Sequence, residues 1–111
     1  MAIQKRFPVN NPNLTPDDVK AALDKQFPNY KIAFRKGLKI GNLGVKDGRY
    51  VQVDKSLFCG VAVMLNMDNH LTVYGQFGNI IVQSMIGGIL TLALNSKLVD
   101  EVGTYMQQTF G

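Results

Sequence analysis

The sequence predicts an α+β domain. Its parts are an antiparallel meander of four to five strands, an N-terminal helix, and two C-terminal helices packed on one face of the sheet. Three observations carry this expectation. Apolar residues recur at helical spacing over 15–27, alternate with period two over 30–77, and return to helical spacing over 79–94 and 96–110. A run of strands followed by a run of helices favours segregated layers over alternating β and α units. At 111 residues the chain has the length of one domain, enough to bury a core without disulfides or metals.

Residues 1–14 read as an extended or mobile leader to a domain over 15–111. Pro8 and Pro12 lack a backbone donor, and Asn10, Asn11 and Asn13 favour turns. Phe7 and Val9 can still pack onto the body. Lys5 and Arg6 are followed by no apolar stretch, so the start does not read as a secretory signal or transit peptide. These residues say nothing about a leader removed upstream. The single Cys59 has no partner for an internal disulfide, which agrees with a reducing compartment, and the expected location is the cytoplasm.

The first helix is punctuated at both ends. Thr15 suits the N-cap, Pro16 the first helical position, and Asp17 and Asp18 the positive end of the helix dipole. Val19, Ala22, Leu23 and Phe27 form one apolar stripe, and Pro28 stops the helix.

The period then changes. Tyr30, Ile32 and Phe34 face one way, Lys31, Ala33 and Arg35 the other. Asp47-Gly48 predicts a two-residue type I′ hairpin between Lys46 and Arg49. In the stretch from Cys59 to Met67, Val61, Val63 and Leu65 fill one face while Ala62 and Met64 keep the other apolar, the pattern of a central strand covered on both sides. Asp68-Asn69-His70 makes a turn, and Leu71, Val73 and Phe77 resume the alternation.

The most apolar stretch follows. From Ile80 to Leu94 it runs for fifteen residues, interrupted by Gln83, Ser84 and Thr91. A membrane-spanning helix needs about twenty apolar residues, so a buried helix over 79–94 is expected and no membrane span. Ser84, Gly88 and Thr91 make a row of small residues along it, suited to close packing within the monomer or to a self-association groove. Asn95 or Ser96 caps the last helix, whose stripe is Leu98, Val99, Val102, Met106 and Phe110.

Nothing in the sequence predicts catalysis, a cofactor or a metal. His70 has no companion ligands at zinc spacing, and Cys59 reads as a small core residue. Asp17-Asp18 and Asp100-Glu101 read as charge at helix N-termini. No glycine run combines a strand, a helix start and a phosphate-binding lysine.

The net charge of +4 is concentrated: seven bases against two acids fall between Lys31 and Lys55. With the valine side of the sheet turned to the helices, the other side gathers Tyr50, Met64 and Tyr74, with Lys31, Arg35 and Arg49 at the margin. Protein interfaces enrich such residues. The expected function is a non-catalytic module for protein interaction or self-association, for instance as a homodimer. Two alternatives are a carrier of small apolar ligands or lipid, with a cavity lined by Met64, Met85, Phe34 and Phe77, and attachment to an anionic surface (nucleic acid or membrane) through the basic segment 31–55. A modest charge excess and the lack of an RNA-binding signature weigh against nucleic acid.

Overall fold

A computed structural model describes residues 4–36, 44–56, 59–76 and 95–111. It is an α+β arrangement of one five-stranded antiparallel sheet and, among the described residues, two α-helices. The elements run β1 (Gln4–Pro8), α1 (Pro16–Gln26), β2 (Lys31–Lys36), a short 3-10 turn (Lys46–Gly48), β3 (Arg49–Ser56), β4 (Cys59–Leu65), β5 (His70–Gly75) and α2 (Ser96–Phe110). The helix expected over 79–94, with its row Ser84, Gly88 and Thr91, lies outside the described residues. So do Lys39, Phe77 and Met85.

In space the strands follow the order β1-β5-β4-β3-β2. The expected meander is β2 to β5. The fifth strand comes from Gln4–Pro8, which the sequence places in its extended leader. It pairs with β5 from Gln4↔Tyr74 to Pro8↔His70. Phe7 lies beside Leu71, which lies beside Leu65, making one apolar row across three strands with Phe7 only 6% exposed. Arg6 adds polar ties: Nη1 donates to Asn66 Oδ1 at 3.1 Å and Thr72 Oγ1 at 3.3 Å, and Nη2 pairs with the Asp68 carboxylate. Pro8 is tolerated because it ends an edge strand.

Register explains the core. Phe34↔Val51↔Val63↔Val73 and Ile32↔Val53↔Val61 are rows on one face, set by matching β-branched residues across strands. Both described helices cover that face, α1 over β2 and β3, α2 over β5 and β1. Val19 and Leu23 from α1 and Leu98, Val99, Val102 and Met106 from α2 are buried against it. Burying one such side chain contributes about 1.5–3 kcal/mol. The helices also hold each other: the Phe27 ring meets Tyr105 edge-on at 5.6 Å, and Tyr105 Oη donates to the Ala22 carbonyl at 3.2 Å.

Local signals at α1 work as their chemistry dictates. Thr15 Oγ1 accepts from the Asp18 amide at 3.3 Å, and Asp18 Oδ2 accepts from the Thr15 amide at 3.1 Å, a reciprocal capping box with Asp at the third position.

Three expectations are corrected. Asp47-Gly48 makes the turn but not the hairpin. Both residues have positive φ (58° and 67°), and the Arg49 amide donates to the Lys46 carbonyl. Yet Val45, before the turn, bridges to Asn66 beyond β4, while β3 pairs with β2 through Lys36↔Arg49. A turn fixes a local reversal; the apolar register between β2 and β3 decides the partner. Second, Asn95 occupies the N-cap position of α2 without a side-chain capping bond; its Oδ1 instead accepts from the Gly60 amide at 2.9 Å, pinning the helix start to β4. Third, Asp100 and Glu101 lie past the first turn of α2, and Glu101 Oε1 accepts from Tyr30 Oη at 3.1 Å. Among the described residues, no helix is long and apolar enough to cross a membrane.

Candidate functional site

The sheet face turned away from α1 and α2 carries most of the sequence-predicted surface. One row reads Ala33↔Gln52↔Ala62↔Tyr74, and a second contains Arg35↔Tyr50 and Met64↔Thr72. The structure thus brings Tyr50, Met64 and Tyr74 together as half-buried side chains, with Lys31 and Arg35 exposed along β2.

Arg49 is not part of this face. It shares parity with Val51 and Val53, so it points toward the helices. There its Nη2 pairs with Asp17 Oδ2 at 2.8 Å and its guanidinium lies 4.2 Å from the centre of the Phe34 ring. Arg49 clamps α1 onto the sheet. Other bases of the segment 31–55 are scattered too: Lys46 Nζ donates to the Pro12 carbonyl at 3.0 Å, and Lys55 borders a cleft beside α2. The described bases form no single stripe of the kind that tracks a phosphate backbone.

The centre of the face is a polar network that the sequence does not announce. Gln52, only 1% exposed, donates from Nε2 to Asp54 Oδ1 at 2.9 Å and to the Gln76 carbonyl at 2.7 Å. Gln76 Nε2 donates to Tyr50 Oη at 2.8 Å and to Gln52 Oε1 at 3.1 Å, while Tyr74 Oη donates to Gln76 Oε1 at 3.0 Å. Gly60 makes room for it: a Cβ there would stand 2.5 Å from Asp54 Oδ1 and 2.7 Å from the Gln76 carbonyl oxygen. The period-two pattern marks Gln52 and Gln76 only as outward residues; their mutual pairing depends on a register no local pattern encodes.

Burial, followed by repulsion from the neighbouring Tyr50, pushes the Tyr74 phenol above its ordinary value of 10.0. A raised native pKa means the neutral form is favoured in the fold. The associated stability is complete below the ordinary value and lost as pH climbs through the raised one. Urea midpoints should therefore fall as pH rises from about 9 to about 11, and Tyr74→Phe should flatten that fall. An unchanged slope in Tyr74→Phe would place the alkaline sensitivity elsewhere.

A separate cleft of about 420 Å³ is lined by Lys55, Cys59, Lys97, Leu98 and Glu101. Burial pushes the Cys59 thiol up, against the pull of Lys55 and with a smaller push from Glu101, so Cys59 is a poor nucleophile near neutral pH. Of the lining expected for an apolar cavity, Phe34 and Met64 lie on opposite faces of the sheet, and Met85 and Phe77 lie outside the described residues. At the β4–β5 turn, His70 Nδ1 lies 3.1 Å from the Asp68 carbonyl oxygen and 3.5 Å from Asp68 Oδ1. Among the described residues, no group of three His, Cys, Asp or Glu could hold a metal ion.

The chain matches no family model, no curated protein and no solved structure.

Proposed function

We propose that this chain is a non-catalytic interaction module that uses the sheet face around Tyr50, Met64 and Tyr74, with a second copy of itself as the first partner to test. The supporting observation is topological. Both described helices pack on the valine face, while the opposite face presents half-buried Tyr and Met side chains beside exposed Lys31 and Arg35. That composition, apolar and aromatic within and basic at the rim, is the composition interfaces favour. A helix over 79–94 belongs to the same proposal on the sequence pattern alone, and a cytoplasmic location agrees with the free thiol of Cys59.

Light scattering across a concentration series tests the self-association form. Mass should rise toward twice the chain mass of 12.3 kDa, and Met64→Arg should return it to the monomer value. A concentration-independent monomer removes self-association.

A carrier function is the second reading, and the cleft beside α2 is what favours it. Its volume of about 420 Å³ is within the range of small-molecule sites, but Lys55, Lys97 and Glu101 in its lining suit a charged ligand better than a lipid. Native mass spectrometry showing no retained small molecule would count against it.

A further inference from the structure

We propose that the outer edge of β2 accepts an extended acidic segment of another protein as an added strand. β2 ends the strand order, and no described residue pairs with its outer side. An edge of this kind offers a row of backbone donors and acceptors ready for a further chain.

The two edges of the sheet are not equivalent. On β1, Pro8 closes one end, and α2 laps the strand: the Lys5 stem lies against Gly103, and Lys5 Nζ donates to Thr104 Oγ1 at 3.1 Å. On β2, no proline interrupts six residues, and Lys31, Arg35 and Lys36 are all exposed.

Charge selects the occupant. Consider a second copy pairing antiparallel through the same edge. Opposite residues of an antiparallel pair share a face, so Lys31 meets Arg35 of the other copy in the register centred on Ala33, whereas the register centred on Phe34 sets Arg35 opposite Ala33 and Lys36 opposite Ile32. Like charges directly opposite each other destabilise a strand pair. Charge therefore opposes the Ala33-centred self-pairing and, with Lys31 and Arg35 both exposed, favours a chain with acids opposite them. Lys31 and Arg35 are four residues apart on one face, with half-buried Ala33 between them. The complementary strand has two acids four residues apart with an apolar residue midway.

A fluorescein-labelled peptide with the core Glu-Thr-Val-Thr-Glu, flanked by Gly-Ser, is the probe, and Lys-Thr-Val-Thr-Lys is its control. The acidic peptide should raise anisotropy on titration with the protein, and the control should not. Amide resonances of 31–36 should shift and their exchange should slow. Lys31→Glu with Arg35→Glu should weaken binding by about tenfold or more, and added salt should weaken it in the wild type. Both positions are exposed, and circular dichroism of the double variant checks that it folds. Equal binding of the two peptides, no binding at millimolar concentration, or shifts confined to Tyr50, Met64 and Tyr74 would overturn the proposal. It stands apart from self-association through the face: a monomeric scattering mass leaves it intact, and a peptide that fails to bind leaves the face reading intact.

Discussion

Gly60→Ala should destabilise the protein by about 2–4 kcal/mol, the combined effect of overpacking and of lost buried hydrogen bonds. Gly60 is enclosed on every side that matters. Its amide donates to Asn95 Oδ1 and its carbonyl accepts from the Gln76 amide at 3.1 Å, so the backbone is held from two directions. An added methyl would meet a carboxylate oxygen of Asp54 at 2.5 Å and a main-chain carbonyl at 2.7 Å. Asp54 can rotate away, but doing so takes an acceptor from buried Gln52; the carbonyl of Gln76 cannot move without β4–β5 pairing shifting as well. Urea denaturation reads the loss as a lower midpoint at unchanged slope, and the side-chain amide resonances of Gln52 should shift or broaden. A midpoint within experimental error of wild type would mean that Gly60 has room the structure does not show.

Leu71→Ala should cost about 2–5 kcal/mol. Leu71 is fully buried and sits between Phe7 of β1 and Leu65 of β4 in one row. Deleting it leaves a void that rigid neighbouring strands close poorly. The damage should also be directional. Because β1 is short and owes its place largely to Phe7 against Leu71, hydrogen exchange at β1 amides should accelerate more than at β3 amides. Uniform acceleration would show that β1 is anchored mainly by the polar contacts of Arg6.

What the sequence reveals here follows how local each signal is. The α1 boundaries were readable because Thr15, Pro16 and Asp18 act within one turn of one another. The meander was readable because alternation marks each strand separately, and the face assignment of Tyr50, Met64 and Tyr74 follows from parity. Parity also sets Arg49 with Val51 and Val53, on the helix side and not among the bases at the margin of the outer face. β1 was not readable. Five residues followed by Asn-rich turns carry no period of their own, and their worth lies in partners about seventy positions away. The Gln52–Gln76 network was hidden for the same reason, since a glutamine's burial depends on what the register sets beside it.

The pairing of Gln4 with Tyr74 has a kinetic consequence. On the ribosome, β1 emerges well before β5 and finds no mate until β5 has been made. Until then β1 is unpaired, with Phe7 uncovered, and it is open to any sticky chain nearby. Closure of the N-terminal strand is thus a late event in assembly, and chaperone dependence should track the interval before it closes rather than the strength of the finished sheet.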